Sequence, residues 1–252
     1  SKKHDLVDKK SEEEKDKNKD NPEQNQKDLL TTLLLYQNQW QEFNLTTAKD
    51  GLDGTIKICI SCEDGKINCN KLYNFSKKSF YLIGSKVSTE PLVKMVADRI
   101  KEFFKDIDVE TVLCTALKKQ KQIYNSPMDL LLNKSFSFFE NNIFYEPVDN
   151  KKQGKSEEKA EQKIYLADIF TTYSDDFHID PWVLSHSLRV MFGFDNRKKL
   201  KKEDIVMMLE KISLKDSSWE QVWDATLKEL YGKEFKALPK ELIPFLSTKF
   251  DS

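Results

Sequence analysis

The sequence predicts an α+β protein in which a charged tail leads into a small antiparallel sheet with helices, followed by an all-helical region. Three observations carry this. Apolar residues alternate strictly through Ile56, Ile58, Ile60 and Cys62, the period of a strand. Leu92, Val93, Val96, Ile100, Phe103 and Phe104 recur at helical spacing. Residues 149–162 lack large apolar side chains, and beyond them only helical spacing recurs.

Residues 1–27 hold eight Lys against eight Asp or Glu and almost nothing apolar. Such a segment cannot bury enough surface to offset its ordering entropy, so a disordered charged tail is expected. The mixed module is predicted over 28–148. Leu29, Leu30, Leu33, Leu34, Tyr36, Trp40 and Phe43 suit an amphipathic helix over Asp28–Phe43. The run 55–62, then Asp64 and Gly65, then 66–72 reads as a β-hairpin, because Asp-Gly supplies the positive φ of a type I′ turn. Ser79–Gly84 reads as a third strand. Thr89 can cap the helix that follows, with Pro91 in its first turn. Val109–Ile123 is a further helix, Ser126 and Pro127 a further helix start, and the aromatic run Phe136–Tyr145 a closing strand.

After the predicted linker at 149–162, the helical module spans 163–252. Its helices are Ile164–Tyr173, then Trp182–Phe192 capped by Asp180 with Pro181 at its start, then Lys202–Ile212. Ser217 and Ser218, each followed three residues later by Glu220 or Gln221, make two capping boxes opening Trp219–Tyr231. Gly232 can close that helix, and Pro239 and Pro244 frame a short terminal one.

Composition narrows the function. Hydrophobic residues are 38% and charged ones 33%, with mean hydropathy -0.64, so much of the chain must lie outside a core. A net charge of -1 argues against a uniformly basic nucleic-acid binder but allows local patches. Four cysteines in 252 residues are too sparse for a disulfide scaffold, so an intracellular, reducing compartment is expected. No apolar run is long enough to cross a bilayer, and no membrane partner is expected.

Cys59 and Cys62, with Cys69 and Cys114, invite zinc, which needs four convergent ligands. Cys59 and Cys62 lie on opposite faces of an alternating strand, so ordinary cysteines and no cofactor are expected. Asp175, Asp176, His178, Asp180 and His186 are the densest titratable cluster. Helix capping and loop positions account for them better than acid–base catalysis. No glycine-rich phosphate loop and no nucleophile elbow is present, so no enzyme is expected. Lys118, Lys119 and Lys121, with Arg197, Lys198 and Lys199, are the concentrated positive charge and would carry any contact with nucleic acid. Trp182, Phe192, Trp219 and Trp223 lie in the helical module. Filling a core is their ordinary role; a partner-binding hot spot is the alternative.

Two stretches resemble known families. Gly193–Met208 resembles a decayed EF-hand: with Leu200 as the central apolar residue, Gly193, Asp195, Arg197 and Lys199 take the early ligand positions and Asp204 the closing one. Cationic Arg197 and Lys199 would repel Ca²⁺, so the resemblance implies a helix pair without metal. The wider stretch 164–250, through Ile164–Phe170, Met191–Gly193 and Leu238–Ile243, resembles the EF-hand-like C-terminal region of ciliary axonemal WD-repeat adaptor proteins, which implies a scaffold role. Residues 54–104, through Phe80–Lys86 and the helix after it, are similar to half of a TATA-binding-protein-like fold, which implies duplex contact through a sheet. The expectation is a non-enzymatic adaptor or structural subunit of a multi-subunit assembly, gripping protein partners through the helical module. The alternative is a nucleic-acid-associated factor using the sheet of 54–104 and the basic runs.

Overall fold

The computed structural model describes residues 21–84, 86–132, 134–146, 163–174, 177–193, 201–213, 221 and 241–246. It shows an α+β protein: helices packed with short two-stranded β-pairs. Helix α1 (Pro22–Tyr36) begins inside the predicted charged tail. The Asn21 side chain accepts from the Glu23 N–H at 3.2 Å, Pro22 needs no N–H partner, and Lys27 pairs with Glu23 at 3.3 Å. Local capping and an i,i+4 pair thus extend the helix past where apolar spacing starts.

The chain then turns at Asn38, whose φ is 56°, into strand β1 (Trp40–Leu45), which had been predicted as the end of the first helix. A short helix α2 (Thr47–Asp50) leads to strand β2 (Gly54–Cys59), paired antiparallel with β1 from Trp40 opposite Cys59 to Leu45 opposite Gly54. The strand predicted over 55–62 thus forms over 54–59, but its partner precedes it. The predicted hairpin across Asp64 and Gly65 is not formed. Strand β3 (Ile67–Asn68) instead pairs in parallel with β8 (Phe170–Thr171), about a hundred residues on. Gly65 is required for another reason. A Cβ on it would lie 1.8 Å from the Val183 carbonyl oxygen, so the glycine permits close backbone approach.

After a three-ten turn at Cys69–Lys71 come β4 (Tyr73–Asn74) with β5 (Ser79–Phe80), and β6 (Leu82–Ile83) with β7 (Val87–Ser88), each pair antiparallel. Helix α3 (Glu90–Lys101) packs on α4 (Val109–Lys119) through Leu92, Val96 and Ile100 on one and Val109, Leu113 and Leu117 on the other. The Ser88 hydroxyl, not Thr89, accepts from the Glu90 N–H (3.1 Å); Thr89 is buried and donates to the Leu72 carbonyl at 2.6 Å. The aromatic run is not a strand. Lys134–Phe139 forms a three-ten turn that buries Phe136 and Phe139 and packs Phe138 and Phe139 against Phe104. Burial at a spacing of three follows the turn's period rather than a strand's.

The region beyond 163 is not all helical. Helix α5 (Leu166–Ile169) ends directly in β8. Asp180 does cap, accepting from the Trp182 N–H at 2.8 Å, but it opens only a three-ten turn, Pro181–Val183. Helix α6 (His186–Met191) restarts behind the Ser185 cap, and α7 (Lys202–Glu210) packs on α1. One contiguous core runs from Leu30 to Leu246 through both predicted modules. Besides the β3–β8 pairing, the Gln37 amide donates to the Val183 carbonyl at 2.6 Å and Asp180 N–H to the Asp64 carbonyl at 2.7 Å. Among the described residues the two predicted modules therefore share a single interior. The capping boxes before Trp219 and the EF-hand-like loop Phe194–Leu200 lie outside the described residues.

Candidate functional site

Two features of the described surface could meet a ligand or partner. The first is a cavity of about 320 Å³ whose lining includes Cys59, Glu63, Lys66, Tyr145, Asp168 and Tyr173. The loop before β3 supplies Lys66, whose ammonium lies 2.5 Å from the Glu63 carboxylate and 3.4 Å from the Ser61 hydroxyl. The other Glu63 oxygen accepts from the Thr171 hydroxyl on β8. This buried cation is thus paired within the chain, and the pair ties the loop to the parallel strands. Asp168 on α5 is buried and accepts from the Ser187 N–H at 2.6 Å. Burial raises its pKa above the ordinary carboxylate range, opposed by that hydrogen bond and by the nearby Lys66 and Arg189 charges.

Several groups at and behind the cavity are shifted toward their neutral forms. The Tyr145 ring stacks on His186 with centroids 4.5 Å apart, and its hydroxyl donates to the Asn38 carbonyl at 3.4 Å. Burial, and to a lesser extent Arg189, pushes His186 down to about 4, and burial pushes Tyr145 up to about 12. The Cys59 thiol is raised by burial and by Asp168, which disfavours the thiolate a nucleophile needs. Arg189 is only 8% exposed, and its Nε has no hydrogen-bond partner. The chemistry this set performs best is cross-linking of loop, strand and helix.

The second feature is the β1–β2 ribbon. In its register Phe43 lies opposite Ile56 and Gln41 opposite Ile58, and Ile60 follows on the same face by alternation. Phe43 is 52% exposed, and Ile56 and Ile58 are each 45% exposed. On the other face Glu42 and Lys57 pair at 3.2 Å and the Thr55 hydroxyl donates to the Asn44 side chain at 3.1 Å. The connecting loop is fixed by its own bonds. Asp53 accepts from the Thr47 N–H (2.7 Å) and hydroxyl (2.6 Å), which hold its carboxyl below the usual range, Asp50 accepts from the Thr46 N–H, and Gly51 takes a φ of 77°. The ribbon is an ordered apolar surface, not a loose loop.

The residues singled out from sequence fall differently. Trp182 is 0% exposed and Phe192 is also buried, so neither can serve as an exposed partner anchor; the helical module turns these aromatics inward. Trp219 and Trp223 lie outside the described residues, as do Arg197, Lys198, Lys199, Asp175 and Asp176. Lys118, Lys119 and Lys121 are exposed at the end of α4, with Lys118 5.9 Å from the centre of the Phe80 ring. His178 is half-buried, and Asp180 and His186 belong to the packing just described. Cys69 is buried with its thiol pushed up to about 12, and Cys62 and Cys114 are half-buried. Among the described residues no three His, Cys, Asp or Glu side chains converge as metal ligands. Sequence reasoning missed Glu63, Lys66, Asp168 and Arg189. Only the i,i+3 spacing of Glu63 and Lys66 was visible, since Asp168 and Arg189 reach the cluster through the fold.

No family model, curated protein or solved structure matches the chain. Among the described residues no helix is long and apolar enough to cross a membrane.

Proposed function

We propose that this chain is a non-enzymatic adaptor or structural subunit of a larger assembly and that it holds a protein partner on the apolar face of the β1–β2 ribbon. The supporting observation is that Phe43, Ile56 and Ile58 form one exposed face of a rigid two-stranded ribbon. Contiguous apolar patches on soluble proteins mark interaction surfaces, and a two-stranded ribbon alone is marginal in water. The cavity beside it supports the non-enzymatic part of the reading. Burial shifts its Cys59 thiol and Tyr145 phenol toward their neutral forms, which disfavours a thiolate nucleophile, and its lysine is already ion-paired. The likeness of residues 164–250 to axonemal adaptors makes ciliary extracts the first place to seek partners.

The test is co-purification of the tagged full chain from native extract, with and without nuclease, beside an Ile56→Asp/Ile58→Asp variant. Protein partners that survive nuclease and disappear with the variant support the reading. Partners that vanish with nuclease and persist with the variant overturn it in favour of nucleic-acid contact through Lys118, Lys119 and Lys121.

A further inference from the structure

We infer that the ribbon receives its partner as an extended strand, added to the edge of β2 that no described strand pairs, with alternate apolar side chains beside Ile56 and Ile58 and in line with Phe43 across β2. This deepens the docking reading above and rests on it. Three observations select a strand from among possible occupants.

The first is the edge itself. The ladder pairs six residues of β1 with six of β2, and among the described residues no third strand lies beside either. Five of the six β2 residues are exposed, against three of six in β1. An open edge presents a row of main-chain N–H and C=O groups that a peptide strand can satisfy. Proteins usually blunt such edges with proline, bulges or unpaired charge. β2 has no proline, its ladder runs without a bulge, and its one charge, Lys57, is paired with Glu42.

The second is area. Phe43, Ile56, Ile58 and Ile60 together expose on the order of 400 Å² of apolar surface, about half of what each side of a standard stable interface buries. A second copy of the chain docked face to face would lack the area to be stable. An added strand needs less, because main-chain hydrogen bonds supply affinity and alternate side chains supply selectivity.

The third is charge. With Glu42 and Lys57 paired at 3.2 Å, the ribbon presents no concentrated field. A polyanion gains little there, whereas a neutral segment of alternating β-branched or aromatic residues without proline meets both the edge and the face.

The experiment pans random peptides displayed on phage against the full chain, with counter-selection on the Ile56→Asp/Ile58→Asp variant. An Ile58→Thr variant, milder and compatible with a strand, guards against a folding defect; both variants are first checked by thermal melting. Enriched peptides are resynthesised with single N-methylated amides. Expected are peptides with apolar residues at alternate positions, weakened at least about tenfold by N-methylation at every second residue and tolerant at the residues between. Enriched peptides with apolar residues at spacings of three and four, indifferent to N-methylation, would overturn strand addition while leaving a docking face intact. Peptides that bind both variants as well as the parent chain would overturn the ribbon as the docking face, and with it this inference.

Discussion

The β1–β2 ribbon and the β3–β8 pair are built from similar residues and have opposite fates. Ile67 is buried and Ile56 and Ile58 are not. The difference lies in what the rest of the chain brings to each. At β3, the loop Glu63–Lys66 approaches Val183 so closely that only glycine fits at 65, and Phe170 closes the other side. At β2, no described element covers the apolar face. Alternation thus reports that a strand forms; whether its apolar face is internal or a docking surface is decided by distant segments.

The largest expected effects lie on the buried side. Trp182→Ala should cost about 3–5 kcal/mol in urea unfolding, the range for removing a large buried aromatic. If Trp182 were instead an exposed anchor, stability would be nearly unchanged and partner binding alone would fall. Gly65→Ala should follow at about 3 kcal/mol, since its methyl group would meet the Val183 carbonyl and must push the loop off the Pro181–Val183 turn. Had Gly65 been the tip of an I′ hairpin, alanine would cost much less.

Acidity tests the same interior. His186 is held near 4 in the folded protein against about 6.5 unfolded, so the unfolded chain binds the proton more readily between those values. Stability from this group is therefore full above about pH 6.5 and lost as pH falls toward 4, by on the order of 3 kcal/mol. Asp168, raised by burial, acts with the opposite slope: the folded state keeps its proton longer, so its contribution declines as pH rises through the carboxylate range. Urea midpoints from pH 7 to pH 4 should fall in the parent chain and fall less in His186→Gln. Equal slopes would place His186 outside the buried stack with Tyr145. The smallest effect on stability belongs to the ribbon. Ile58→Thr should change unfolding free energy by about 0.5 kcal/mol or less, as surface substitutions do, while weakening capture of the partner. A loss comparable to that of Trp182→Ala would mean the face is covered.

Much of the fold was legible. The helices at 90–101, 109–119 and 202–210 follow apolar spacing, with Pro91 marking the start of the first. What failed were partner choices. Asp64 and Gly65 carry the residues of a hairpin turn, yet Gly65 answers to a carbonyl 118 positions away in sequence. Phe136–Tyr145 has strand propensity, yet Phe104 and the core draw Phe136 and Phe139 into a three-ten turn. Trp182 and Phe192 were candidates because aromatics serve both cores and interfaces, and burial alone separates the two. The candidate docking face was half legible: Ile56, Ile58 and Ile60 were placed on one side, but Phe43 was assigned to a helix and so the partner strand was missed.

The parallel pairing of Ile67 and Asn68 with Phe170 and Thr171 also sets a schedule for synthesis. As the chain leaves the ribosome, Ile67, Leu34 and the wall around Gly65 must wait for more than a hundred further residues before Phe170 and Val183 can cover them. Contacts of such sequence separation slow folding and lengthen the time apolar surface stays open. Throughout that interval the nascent protein carries two sticky regions, the unfinished interior and the β1–β2 face, and among the described residues only the first is closed by segments made later.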